Sequence, residues 1–166
     1  MLIRQATLND IQPIMQLVAE VVPAMRAAGN LQWDNTYPNA AVFENDIQLG
    51  QLWVADVDGQ IGGVTAITNS PEPDYGAAGI DINIPAVTTH RLAVNTRFRG
   101  LGIAAALLQQ AEVVAADKGI KLALVDTNTE NEATNKLFPK LGYTLAGKIT
   151  LPHKPGLLFY CYQKQL

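Results

Sequence analysis

HRLAVNTRFRGLGIAAALL, residues 90–108, passes from a β-rich run through a basic, glycine-rich turn into an alanine-rich helix. Gly100 and Gly102 let the backbone approach a ligand closely. The first turn of the helix then presents unpaired N–H groups carrying a partial positive charge. Arg97 and Arg99 add two full charges, and each charge-assisted contact is worth about 1.5–3 kcal/mol. The turn is therefore suited to hold an anion, and a phosphate fits. A Gly-x-Gly beside an arginine also occurs as a plain solvated loop, so the flanking elements decide between the two.

Upstream, Met1 to Ala6 reads as a strand, and Thr7 stands before a helix as its cap. Ile11, Ile14, Met15, Val18, Val22 and Met25 recur at three- and four-residue steps, which lays one apolar stripe along a helix ending near Gly29. Residues 30–38, NLQWDNTYP, form a loop, and a short helix follows over 39–49. Leu52–Val57 and Ile61–Ile67 are β-rich runs joined by Asp58-Gly59, which predicts an antiparallel hairpin. Residues 69–79, rich in Pro, Gly and acidic side chains, predict a mobile loop, and strand character returns over 87–94.

Downstream, a helix over 103–118 stops at Gly119 and leads into a buried-strand run over 120–125. A helix over 132–141 follows, with Pro139 distorting its last turn, and strands over 143–149 and 158–163 close the chain. The chain has 166 residues and is 48% hydrophobic, enough for one substantial core and too short for two domains and a linker. A single domain over residues 1–166 is expected.

The net charge of −3 argues against a nucleic-acid surface. Cys161 is the single cysteine, so no internal disulfide can form, and a cytoplasmic location is the default. No run reaches the roughly 18 apolar residues of a membrane-spanning helix, and the N-terminus lacks a signal-peptide pattern. No membrane partner and no metal are expected.

These elements resemble the GNAT superfamily of acyl-CoA-dependent N-acetyltransferases. The family's cofactor signature, Q/R-x-x-G-x-G/A between the fourth strand and third helix, is filled by Arg99, Gly102 and Ala104. Leu92-Ala93-Val94 is similar to the family's bulged strand, whose backbone pairs with the pantetheine arm. ALVDTNTENEATNKLFPKLGY, residues 123–143, resembles the family's fifth strand, the Asn that begins its fourth helix, and the closing L-G-[FY].

The resemblance covers the order of elements along almost the whole chain. It implies an α/β (α+β) fold with a mixed, mostly antiparallel sheet of about six or seven strands flanked by about four helices. It also implies acetyl-CoA as cosubstrate and a primary amine of a small molecule or peptide as acceptor, acetylated by direct attack on the thioester. A homodimer is compatible with it. The implied cofactor residues are Leu92, Ala93, Val94, Arg97, Arg99, Gly100, Leu101, Gly102, Ile103, Ala104, Asn131 and Phe138.

Phe138 departs from the family, many of whose members carry a tyrosine there to protonate the departing thiolate; a phenyl ring cannot donate a proton. Water, Tyr160, Tyr162 or Cys161 are the remaining donors. His90 and Asp126 are the candidate bases. Strand alternation puts His90 on the face of Leu92 and Val94, and an imidazole suits proton removal near neutrality. Asp126 ends the neighbouring strand. Each has a plainer alternative, His90 as a satisfied strand histidine and Asp126 as a cap on the TNTEN turn.

Trp33, Asp34 and Tyr37 lie where the family builds its acceptor pocket, with Tyr75 in a second loop. Aromatic faces and a carboxylate suit a cationic amine, although tryptophan and tyrosine also anchor loops by packing alone.

Two rival functions remain on sequence grounds. GLGIAA, residues 100–105, also matches G-x-G-x-x-A, the fingerprint of a dinucleotide-binding oxidoreductase. Five residues separate the strand from its first glycine, however, and too little chain follows to complete that domain. The other rival is a catalytically silent acyl-CoA-binding or sensor module, which the missing tyrosine at Phe138 encourages.

Overall fold

The computed structural model describes residues 1–166. Seven strands form one sheet: β1 (Leu2–Gln5), β2 (Leu52–Val57), β3 (Gln60–Thr68), β4 (Val87–Val94), β5 (Leu122–Asn128), β6 (Thr144–Ile149) and β7 (Phe159–Gln165). Their order is β1-β2-β3-β4-β5-β7-β6. Only β4 and β5 run parallel. Four α-helices flank the sheet: α1 (Ile11–Ala27), α2 (Ala40–Gln48), α3 (Ile103–Asp117) and α4 (Glu132–Lys140). The mixed, mostly antiparallel sheet and its helices match the expected architecture.

The α1 stripe buries Ile14, Val18 and Val22 as its periodicity demands, and Leu17 and Val21 join them. These side chains cluster with Phe43 of α2 and with Leu52, Val54, Val64 and Ala66 of β2 and β3. Ile103 and Leu107 of α3 pack with Ala55, Leu92 and Val94 on the opposite face of the sheet. The helices thus form a layer on each side.

β4 is the strand that positions the site, and it does not alternate as its sequence suggests. Ala66 pairs with His90 while Val64 pairs with Ala93, so β4 carries one extra residue. Arg91 takes up the irregularity with a φ of 52°, in the left-handed region that a non-glycine residue adopts only when held there. Its guanidinium is held by Asp46 of α2 through two 2.8 Å hydrogen bonds. The Thr65 hydroxyl donates to the His90 carbonyl at 2.9 Å and fastens the bulge. His90 therefore faces Thr68, and Leu92 faces α3. The expected shared face for His90, Leu92 and Val94 is corrected by this extra residue.

β4 pairs with β5 only over Val87–Thr89. Beyond Thr89 the two strands separate, leaving the backbone of β4 unpaired on that side and a passage between the sheet's two faces.

Two other expectations change. The loop over 69–79 contains a short 3-10 helix, Pro73–Ala78, whose Tyr75 is fully buried. It packs so closely on β6 that a Cβ added to Gly147 would lie 2.8 Å from the Ala78 carbonyl. Pro, Gly and acidic residues mark irregular backbone, which here is docked by one buried aromatic. β5 extends to Asn128, so Asp126 lies within the strand, opposite Cys161 of β7.

Candidate active site

The glycine turn is shaped locally. The Asn95 side chain accepts a hydrogen bond from the Arg97 amide at 3.0 Å and starts a 3-10 turn over Thr96–Phe98. Gly100 and Gly102 follow with φ values of 83° and 75°, which a side chain would strain, and Gly102 caps α3. The first backbone bond of α3 runs from Ala106 to Gly102, so the amides of residues 103–105 have no partner within the helix.

These amides open on a groove of about 950 Å³. Its walls are α1, at Val21, Ala24 and Met25, and the start of α4. Arg99, Gly100, Gly102, Ile103 and Ala104 line it at one end, and Leu92, Ala93, Val94 and Asn131 line it further in. The donor set and the unpaired β4 edge fit an extended thioester with a diphosphate at one end. Three expected cofactor residues do not line this groove. The Arg97 guanidinium lies over the Phe98 ring at 5.8 Å, Leu101 is exposed, and Phe138 is buried edge-on against Tyr162 with 5.2 Å between ring centroids.

A second, smaller chamber of about 200 Å³ adjoins the groove. Met25, Leu92, Asn131 and Thr134 line both, so the two meet where β4 and β5 part. Asn131 fixes this junction. Its carbonyl oxygen accepts from the Thr134 amide, capping α4, and its amide group donates to the Thr127 hydroxyl at 3.0 Å.

His90 and Asp126, the two candidate bases, both line the chamber. Asp126 accepts a 2.5 Å hydrogen bond from the Tyr75 hydroxyl. Burial pushes the Asp126 carboxyl up to about 6, although the Tyr75 bond opposes the shift and nearby Glu72 adds to it. Burial, with the Asp126 charge, holds the Tyr75 hydroxyl well above its usual value, so tyrosine is the donor in this pair.

Burial, and secondarily the Arg91 charge, pushes His90 down to about 4. Its Nε2 is 3.1 Å from the Thr68 hydroxyl and 3.3 Å from Glu72. With histidine neutral at ordinary pH, the Glu72 contact is not an ion pair.

Trp33, Tyr37 and Tyr75 also line the chamber. Asp34 does not. Its carboxylate accepts from the Thr36 hydroxyl and from the Thr36 and Tyr37 amides, which hold its pKa down to about 2 and make it a turn-forming residue. Of the other proton donors, Cys161 is fully buried with burial pushing its thiol up to about 12, and the Tyr162 hydroxyl donates to Asn135.

The sequence alone did not point to Arg91, Thr89, His153 or Lys154, all of which line the chamber. Lys154 comes from the β6–β7 loop and lies 4.8 Å over the Tyr37 ring. Asp46, which holds Arg91, had a visible signal: it lies three residues after buried Phe43 on the apolar side of α2, where a carboxylate requires a partner.

A mixed sheet with a mid-strand bulge, a splayed parallel pair and a helix N-terminus facing the gap defines the acyl-CoA acyltransferase class. A family model of the GNAT acetyltransferase domain matches residues 48–145, and the chain belongs to the GNAT superfamily. It is 26% identical to the N-acetyltransferase YesJ of Bacillus subtilis over 145 residues, which is 86% of this chain and 81% of that protein. A crystal structure of a GNAT-family acetyltransferase from Streptococcus agalactiae superposes with a TM-score of 0.86 at 30% identity, covering 99% of this chain and 95% of the other. The fold is shared with yncA from Salmonella typhimurium, solved with its cofactor acetyl-CoA, at a TM-score of 0.71 and 20% identity over 100% of this chain and 94% of that one.

Proposed function

We propose that the protein transfers an acetyl group from acetyl-CoA to the primary amine of a small molecule or peptide by direct attack. The observation that carries this is the junction at Leu92. There an anion-binding groove with a free strand edge opens into a polar chamber, so a thioester in one can meet an amine in the other. The acetyl-CoA of the Salmonella neighbour supports the choice of cosubstrate.

The unpaired amides at the start of α3 and Arg99 bind the diphosphate, and the edge of β4 aligns the arm beside it. Alignment alone supplies much of the rate in such a reaction. Trp33, Tyr37 and Tyr75 enclose the acceptor, with Glu72 and Asp126 favouring an ammonium. Asp126 then removes the proton. A carboxylate with a pKa of about 6 is ionised at neutral pH and is more basic than an ordinary aspartate, whereas His90 at about 4 is a weaker base. His90 instead positions Glu72.

The test is thiol release on mixing the protein, acetyl-CoA and a library of primary amines, with calorimetry against acetyl-CoA, CoA and NAD. Binding of the first two ligands with release of thiol is expected. Binding without thiol release from any amine would leave a sensor module, and binding of NAD alone would overturn the assignment. Arg99→Ala is expected to raise the KM for acetyl-CoA about tenfold or more with little change in kcat, because one charge-assisted contact is lost in ground and transition state alike.

A further inference from the structure

Five threonines lie where β4 leaves its neighbours, apart from Thr89. Thr65 donates to the His90 carbonyl, Thr68 to the Thr88 carbonyl, and Thr88 to the Ser70 carbonyl. Thr127 and Thr134 share a hydroxyl–hydroxyl bond of 2.8 Å. Thr89 is deeply buried too, at 2% exposure, yet its hydroxyl has no hydrogen-bond partner in the protein. Leaving a buried hydroxyl unpaired is destabilising, a penalty that native proteins retain mainly where the group has a use.

Its position suggests that use. Thr89 pairs with Val125 as the last residue of β4 joined to β5, at the point where the passage opens. By alternation it shares the face of Val87, which belongs to the cluster containing Leu108, Ala111 and Phe138. His90, the next residue, is on the opposite face. The Thr89 side chain thus lines the chamber from the α3 and α4 side, beside Leu92 and Phe138, while Asp126 and Tyr75 line it from the acceptor side.

We propose that the Thr89 hydroxyl is a catalytic hydrogen-bond donor to the reacting thioester. This rests on the transferase function proposed above. As the amine nitrogen bonds to the acyl carbon, the carbon–sulfur bond breaks and its electron pair leaves on sulfur. The Thr89 hydroxyl donates to the negative charge that develops on the acyl oxygen and sulfur, without giving up its proton. The proton lost by the nitrogen ends on sulfur, so amine and thioester become amide and free thiol.

Thr89→Val, which keeps the shape and removes the donor, tests this beside Thr89→Ser, which keeps it. In the valine variant kcat is expected to fall about a hundredfold, the effect of removing one such donor. Calorimetric affinity for acetyl-CoA should stay within twofold, and Tm should hold or rise, since an unpaired hydroxyl has gone. Serine should recover most of the rate. Wild-type turnover in the valine variant, a loss of rate matched by loss of Tm or of acetyl-CoA affinity, or a serine variant as slow as valine would each overturn the role. A wild-type protein that binds acetyl-CoA but acetylates no amine would overturn the transferase function itself, and the role of Thr89 with it.

Discussion

Asp126→Asn is expected to lower turnover by about a hundredfold or more at pH 7.5 while making the folded protein more stable at that pH. The kinetic half follows from the proposed role, since removing a general base typically forfeits about 10²–10⁴ in rate. In the wild type the rate should rise with pH through a midpoint near 6, the value to which burial raises this carboxyl, and the limb should vanish in the variant.

The stability half follows from the same shift with its sign worked out. The folded pKa is raised from 3.8 to about 6, so the folded state binds the proton more tightly than the unfolded chain. That contribution is fully present below about 3.8 and is lost as pH rises through about 6. Above that pH a buried, charged Asp126 destabilises the fold by on the order of 2–3 kcal/mol. An amide carries no charge, and its oxygen can still accept from the Tyr75 hydroxyl. The variant should therefore gain in chemical denaturation at pH 7.5 and show no gain at pH 3.5. A wild-type rate that is level across pH 5–7, or a variant as fast as the wild type, would remove Asp126 from the mechanism.

The parts of this site that could be read in the sequence are those whose causes are local. The glycine turn is legible because φ values above zero at Gly100 and Gly102 and the open N-terminus of α3 are encoded within six residues. The strands and helices are legible because each buries a periodic face. The bulge is not, because nothing near Arg91 forces a left-handed backbone; the force is the Asp46 carboxylate, 45 positions away. Alternation through His90 fails for that reason.

The acceptor loop divides in the same way. Trp33 and Tyr37 reach the chamber, while the Asp34 carboxylate is consumed two and three residues along its own turn. An Asp-x-Thr pattern carries that signal, since aspartate commonly bonds backbone amides two residues on. Lys154 and His153 could not be assigned to the chamber, because what brings them there is the reach of the β6–β7 loop across the sheet. The Tyr75–Asp126 pair joins residues 51 positions apart, and only burial makes it strong.

Gly63→Ala is expected to weaken acetyl-CoA binding at least tenfold although Gly63 does not itself line the groove. Gly63 lies on β3 opposite Val94, beneath the first turns of α3. A Cβ there would come within 2.5 Å of Ile103 Cγ2, 3.1 Å of Leu107 Cδ1 and 3.1 Å of the Ala93 carbonyl. Ile103 and Leu107 are buried, so neither side chain has open space to enter, and the helix must lift. Overpacking of this kind destabilises by about 1–3 kcal/mol.

The same displacement moves the amides of residues 103–105 away from the edge of β4, and a loss of 1.4 kcal/mol in binding is already tenfold in Kd. Denaturant unfolding and calorimetry on the one variant separate the two effects. Adding Ile103→Ala removes the methyl that clashes, so the double variant should regain affinity even though its core is less filled. Recovery of affinity without full recovery of stability would mean that the height of α3 above the sheet sets the diphosphate site. Lost stability with unchanged affinity in Gly63→Ala would mean that it does not.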